Sequence, residues 1–159
     1  MSIDRIELRN AFGQFATGVT VITTNPEGYE PLGMTVNSFS SLSLEPALLL
    51  WSIQNDSECL AAFNAADTYA VNVLADSGEE LSRFYAQKGD HALRETDYHL
   101  GEAGCPVLNA CLTSFECAIE ERVDGGDHTI LIGRVLAFNA KPDLKPLVFF
   151  GGQYQSLAE

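Results

Sequence analysis

Ala110-Cys-Leu-Thr-Ser-Phe-Glu-Cys-Ala-Ile-Glu-Glu-Arg122 runs through Val123-Asp-Gly-Gly-Asp127 into His128-Thr-Ile-Leu-Ile-Gly-Arg-Val-Leu-Ala-Phe-Asn139. Two long β-prone runs flank a short Asp/Gly segment. Asp-Gly-Gly-Asp is a strong hairpin turn, because glycine reaches positive φ at no steric cost. The three pieces predict a long antiparallel hairpin.

The elements before it are mostly strands. Residues 4–16 predict a helix, with Leu8, Ala11, Phe12, Phe15 and Ala16 on one apolar face and an Asp4/Glu7 capping box. The β-branched run 19–24 reads as a strand, 25–28 as a turn and 32–39 as a second strand. After Pro46, residues 47–53 are continuously apolar and read as a strand buried on both faces. A helix capped at Asp56 or Ser57 runs to Ala65, with Leu60 and Phe63 inward, and 69–74 is another strand. Ser77-Gly-Glu-Glu80 forms a capping box for a helix with Leu81, Phe84, Tyr85 and Lys88 on one side. The polar stretch 89–109 reads as an ordered loop and 146–150 as a last strand. Strand and helix do not alternate regularly, so a parallel doubly wound sheet does not fit. The order predicts a mainly β fold, an antiparallel barrel with a few flanking α-helices.

The chain has 159 residues, the size of one domain, and can bury roughly 70% of its unfolded surface. The expectation is a single domain over 1–159. No apolar run approaches the roughly 20 residues of a membrane helix, and the N-terminal residues lack a basic region followed by an apolar run. We expect a cytoplasmic protein with no membrane partner. Cys59, Cys105, Cys111 and Cys117 form no Cys-x-x-Cys pair and read as buried reduced thiols. His91 and His99 have no metal-site spacing, and no metal is expected.

Net charge is −13, with nine Lys and Arg. That argues against nucleic-acid binding, which needs basic patches. It also restricts how a phosphate-bearing ligand could be held. Local hydroxyls, backbone N–H groups and a few cations must do it, since the overall field is screened beyond about 8 Å.

Three segments could carry chemistry. Gly33-Met-Thr-Val-Asn-Ser-Phe-Ser-Ser-Leu-Ser43 is rich in hydroxyls and suits a phosphate or the carbonyl edge of a planar ring, although Ser and Asn are also ordinary turn residues. Asn55-Asp-Ser-Glu-Cys-Leu60 opens a helix, where free N–H groups favour an anion, but simple N-capping explains it too and Glu58 places negative charge there. His128, re-entering the sheet after the turn, could hydrogen-bond a dinucleotide or serve the hairpin alone. No Gly-x-Gly-x-x-Gly, P-loop or Gly-x-Ser-x-Gly occurs.

Phe12-Gly-Gln-Phe-Ala-Thr-Gly-Val-Thr-Val-Ile-Thr-Thr24, the 33–46 run, Tyr69-Ala-Val-Asn-Val-Leu74, residues 81–86 and Gly125-Gly-Asp-His-Thr-Ile130 together resemble the flavin reductase-like family of FMN-binding split barrels. That family includes reductase components of two-component flavin monooxygenases. The resemblance implies an antiparallel split β-barrel, usually homodimeric, with FMN or FAD near the subunit interface and NADH or NADPH as co-substrate. It puts flavin contacts on Thr35, Val36, Asn37, Ser38 and Ser41, and on Asn55, Ser57 and Cys59 at the phosphate side. Phe84 and Lys88 fall where the family closes over the cofactor. His128 matches the histidine beside the nicotinamide, and Tyr154 lies in the C-terminal segment near the same pocket. No side chain is expected to be catalytic in its own right. Cys59 replaces a common threonine. The tail Gly151-Gly-Gln-Tyr-Gln155 lacks the arginine of many relatives, so NADH is favoured over NADPH. The implied activity is NAD(P)H:flavin oxidoreduction, with reduced flavin passing to a partner monooxygenase. The alternative is an FMN-holding electron-transfer or storage flavoprotein without NADH turnover.

Overall fold

The structure is a computed structural model describing residues 2–158. In chain order it contains α1 (Arg5–Phe12), β1 (Thr17–Gly18), β2 (Thr20–Thr24), β3 (Leu32–Val36), β4 (Ser40–Leu44), β5 (Ala47–Gln54), α2 (Leu60–Ala65) and β6 (Thr68–Leu74). There follow α3 (Glu79–Ala86), β7 (Tyr98–Leu100), β8 (Pro106–Leu108), β9 (Cys111–Gly125), β10 (His128–Ala140), β11 (Val148–Phe150) and β12 (Gln153–Gln155).

Seven strands form one antiparallel sheet in the order β3-β2-β6-β9-β10-β5-β4. Its two edges, β3 and β4, are consecutive in sequence and separated only by residues 37–39. Four Cα steps reach at most about 14 Å. Six strand spacings across a flat sheet would be about 29 Å. The sheet must therefore curl until its edges meet at residues 37–39. Ser38 fixes that meeting: its hydroxyl donates to the Ser52 carbonyl at 3.0 Å and accepts from the Ser52 N–H at 3.1 Å, on β5.

The β9–β10 hairpin is the long ladder expected from sequence, with a tighter turn. Only Gly126 and Asp127 lie outside the strands, and Gly126 takes φ 80°. Inside the curl, Trp51 packs edge-on against Phe63 at 4.9 Å and Tyr69 at 5.8 Å, with Ile22, Val71, Cys117 and Leu131 around them. A second cluster, Val19, Val21, Leu74, Tyr85, Leu93, Leu108 and Leu147, seats α3. All four thiols are free and buried; burial pushes Cys59 up to about 11 and Cys117 up to about 12.

Several local expectations are corrected. β5 is not buried on both faces: Leu49, Trp51 and Ile53 are buried and their neighbours partly exposed, because a barrel strand has one interior side. α1 stops at Phe12, and none of its residues is buried. Asp4 caps it through the Ile6 and Glu7 N–H groups. Ser77 caps nothing: a 3-10 turn (Asp76–Gly78) precedes α3, whose N-cap is Gly78. α2 begins four residues after Asp56, with Cys59 at its N-cap. Residues 40–44 and 153–155 are strands that the polar sequence concealed.

The 89–109 stretch is ordered, but it includes the β7–β8 hairpin. Polar side chains on the sheet's outer face dock it. Thr23 Oγ1 donates to the Pro106 carbonyl, Asn72 Oδ1 accepts from the Leu108 N–H at 2.8 Å, and Glu116 Oε2 accepts from the Ala103 and Cys105 N–H groups at 2.9 and 3.0 Å. Each satisfies backbone that would otherwise be buried without a partner.

Gly133 sits at a bulge in β10, where a Cβ would run into the Tyr69 hydroxyl and lie 2.9 Å from Cys117 Cβ. Both neighbours are fully buried. Gly133→Ala should therefore cost about 1–3 kcal/mol by overpacking. Urea denaturation checks this; an unchanged midpoint would mean that the core yields at this point.

Candidate functional site

Where the sheet edges meet, α3 and the C-terminal β11–β12 hairpin face β3 and leave a groove made of three cavities in contact. The central one, ≈210 Å³, lies between Thr35–Asn37 on one side and Ser82, Phe149 and Tyr154 on the other. It shares Thr35 and Ala86 with a cavity of ≈350 Å³ lined by Gln54, Asp56, Ser57, Glu58 and Lys88. It shares Asn37 and Phe149 with one of ≈780 Å³ along Phe12, Gln14, Phe15 and Gly151. The groove thus has a charged end, a mostly apolar middle and a far end of mixed character, where Arg9, Asn10 and Gln14 stand beside Phe12 and Phe15.

The charged end is latched. Glu58 Oε2 accepts from the Gly89 N–H at 2.8 Å and lies 3.1 Å from His91 Nε2. His91 Nδ1 lies 3.3 Å from the Gly33 carbonyl, and the Gly33 N–H donates to the His91 carbonyl at 2.9 Å. The Gly89 bond, then the His91 bond, hold the Glu58 carboxyl below its ordinary value. The negative charge that the sequence placed against a phosphate is therefore occupied in tying the segment after α3 to the segment before α2. Lys88 lies between them, exposed, and makes no ion pair among the described residues.

The sequence-derived site residues divide into two groups. Thr35, Val36, Asn37, Ser57, Lys88 and Tyr154 line the groove. Thr35 Oγ1 donates to the Ser82 carbonyl at 2.7 Å, and Ser57 Oγ accepts from the Cys59 N–H at 3.2 Å. The others stand around it. Ser38 closes the sheet. Ser41 is exposed on β4, paired with Leu49. Asn55 clamps the hairpin tip: its Nδ2 donates to the Gly126 carbonyl at 3.1 Å and its Oδ1 accepts from Thr129 Oγ1 at 2.8 Å. Cys59 is packed in the core, and Phe84 lies under the Arg94 guanidinium at 4.1 Å. His128 is paired in register with Gln54 at the charged end, its Nδ1 2.7 Å from Asp127 Oδ1. Tyr154 is in the central cavity, so the two residues assigned to the nicotinamide do not line one cavity of a single chain.

Sequence reasoning missed Ser82 and the Glu58–His91 latch. A signal for Ser82 existed: charges at 79, 80 and 83 mark the solvent face of α3, which leaves Ser82 with Tyr85 on the buried one. No local signal links Glu58 to His91. Nor did sequence place Arg83 over the Tyr154 ring, 4.7 Å away, with its guanidinium bonded to Glu79 at 2.7 Å.

The sequence pattern of the flavin reductase like domain matches residues 12–158. The chain belongs to this family. It is 45% identical over 147 residues to an NADH-dependent FMN reductase, SmoA, of Agrobacterium fabrum, covering 92% of this chain and 82% of that protein. It is 35% identical over 156 residues to the reductase subunit HsaB of a flavin-dependent monooxygenase from Rhodococcus jostii, covering 98% and 80%. It superposes with TM-score 0.91 on the Streptomyces globisporus NADH:FAD oxidoreductase SgcE6 solved with NAD and FAD fragments, at 39% identity over 98% of this chain and 93% of that one. The chain spans 42% of the length of one further relative, to which it is 40% identical. The fold class is that of these flavin reductases. Among the described residues no helix is long and apolar enough to cross a membrane.

Because the Glu58 pKa is depressed on folding, the latch contributes fully above its ordinary value of 4.5 and is lost as pH falls through the lower, folded value. NMR titration of the Glu58 carboxyl carbon should show that acid-shifted midpoint. In Glu58→Ala the Gly89 amide should exchange faster at neutral pH; unaltered exchange would mean that the carboxylate does not hold the segment.

Proposed function

We propose that this chain binds FMN or FAD in the groove, reduces it with NADH and supplies reduced flavin to a partner monooxygenase. The observation that carries this is the groove itself, in a chain of the flavin reductase-like family. One end offers the Lys88 ammonium with Ser57 and Gln54, the middle offers the Thr35–Asn37 segment, and the wall facing that segment offers the Phe149 ring. That donor set fits a flavin: cation and hydroxyl for phosphate, polar groups for the ring's carbonyl edge, aromatic surface for stacking.

Lys88 and Ser57 would hold the phosphate side, and Thr35, Val36 and Asn37 the ring edge. Phe84 contributes by seating α3, Ser38 by setting the position of residues 37–39, and Asn55 by fixing the hairpin beside His128. Cys59 supports the same segment from the core, and Ser41 lies at the edge of β4 where a second subunit could bring it to the ligand. When bound, the flavin supplies the hydride-accepting chemistry. The protein's part is orientation and exclusion of water, with Tyr154 and His128 on the nicotinamide side and no nucleophile. The tail segment 151–155 itself carries no cation for an extra phosphate, and Arg83 over Tyr154 is engaged with Glu79, which supports NADH over NADPH.

We take the assembly to be a homodimer in the cytoplasm. Exposed apolar side chains support the dimer: Phe12, at the end of α1, and Phe15, just beyond it, are 71% and 79% exposed and line the far end of the groove, which nothing among the described residues covers.

Stopped-flow mixing of flavin-loaded protein with NADH should bleach the yellow flavin band. A band that persists would favour the electron-transfer or storage reading. Lys88→Ala should weaken FMN about three- to fivefold while leaving riboflavin, which lacks the phosphate, unchanged within about 1.5-fold. His128→Ala should raise the KM for NADH with flavin affinity unchanged; equal loss of both would remove its nicotinamide role.

A further inference from the structure

Ser82 is fully buried in the middle of α3, and its two polar groups point across the groove in different directions. Its carbonyl accepts from Thr35 Oγ1–H on β3 at 2.7 Å. Its hydroxyl lies 2.7 Å from the Tyr154 hydroxyl on β12. A mid-helix serine commonly turns its hydroxyl back onto its own helix. Here the bond reaches a strand 72 residues away in sequence. Thr35, Ser82 and Tyr154 line the same ≈210 Å³ cavity.

The strand that carries Tyr154 needs such an anchor. β12 pairs with β11 over three residues and has Gly151 and Gly152 before it, at φ 59° and 77°. Its other ties are the edge-on packing of Tyr154 on Phe149 at 5.4 Å and the Arg83 guanidinium over the ring. Arg83 is largely exposed, so that tie is weak. Ser82 is fully buried at its end of the bond and Tyr154 partly so, and a hydrogen bond held at a buried end constrains geometry more than one in open water.

We propose that Ser82 is a positioning residue for the flavin reductase reaction: by holding Thr35 through its carbonyl and Tyr154 through its hydroxyl, it sets the width of the slot that receives the nicotinamide. The proposal rests on the reductase reading of the groove. It separates the two sides of the site. Removing the Ser82 hydroxyl releases Tyr154 and β12, while the carbonyl goes on holding Thr35 on the flavin side.

Ser82→Ala and Tyr154→Phe delete the same bond from opposite ends, and each removes one oxygen. Each should raise the KM for NADH about three- to tenfold, the range of one buried hydrogen bond. The kcat and the flavin Kd should stay within about twofold. The double variant should be no worse than either single one, because both changes remove one interaction. Amide exchange at Gln153–Gln155 should quicken in both. Additive effects, an unmoved KM for NADH, or a parallel loss of flavin affinity would overturn the assignment. Wild-type reduction in the same experiment separates the two failures. Normal bleaching with the NADH KM unmoved in both variants overturns the role of Ser82 alone, and no bleaching by the wild type overturns the reductase reading together with it.

Discussion

A three-residue connection between the two edges of a seven-stranded sheet is the constraint on which the rest depends. Residues 37–39 cannot reach across a flat sheet, so β3 and β4 must be brought together by curvature, and the curvature creates an interior. Trp51, Phe63 and Tyr69 fill it. The same connection leaves the edges meeting at a point and not along a full ladder, and the groove opens at that point. Position of the site and closure of the fold are therefore one fact: Asn37 lines two of the three cavities, while its neighbour Ser38 is bonded to β5.

Hydroxyls and carboxylates in this chain mostly hold backbone. Thr23, Asn72 and Glu116 dock the β7–β8 region, Ser38 closes the sheet, Asn55 clamps the hairpin tip and Glu58 latches the segment after α3. A hydroxyl has one proton to donate. Thr35 and Ser38 have already given theirs to carbonyls, so toward a ligand they can only accept. The donors left in the groove include Lys88, Gln54 and Ser57 at one end, Asn37 in the middle, and Arg9, Asn10 and Gln14 at the other end. Polar composition in the 33–43 run thus reports a fold requirement first and a binding chemistry second.

This division explains what was legible in the sequence. The long hairpin and the antiparallel order were readable, because turn chemistry and β-branched runs are local; the one-sided burial of Leu49, Trp51 and Ile53 was not, because the continuous apolar run 47–53 carries no period-two signal. The strands at 40–44 and 153–155 were not: Ser-Ser-Leu-Ser-Leu and Gln-Tyr-Gln have weak β preference, and only pairing with β5 and β11 makes them strands. The exposed face of α1 has the pattern of a core helix, yet a single chain offers it no core. Of the residues lining the groove, Thr35–Asn37 and Ser57 lie in segments that the sequence marks as polar motifs, and Lys88 and Tyr154 were pointed to by the family resemblance. Ser82 and the Glu58–His91 pair were not, because their roles exist only through partners more than thirty residues away.

Electrostatics then sets how firmly such a groove can hold its ligand. The chain carries 13 more negative than positive charges, and at the phosphate-side end Lys88 is a lone exposed cation near Asp56 and Glu58. An exposed ion pair contributes only about 0.2–1 kcal/mol. The latch moderates this by binding the Glu58 carboxylate to the Gly89 N–H and to His91, which partly offsets the charge of one of the two acids. On the proposed reading, apolar contact with Phe149, Val19 and Val36 in the central cavity supplies most of the remaining affinity. A site with one weak charge contact and an open groove suits a ligand held near the micromolar level, about −8 kcal/mol, which is strong enough to be reduced in place and weak enough to leave. On the proposed reading, in which reduced flavin passes to another enzyme, a scarcity of cations is consistent with function: more lysines along β3 and α3 would tighten the hold and slow the release.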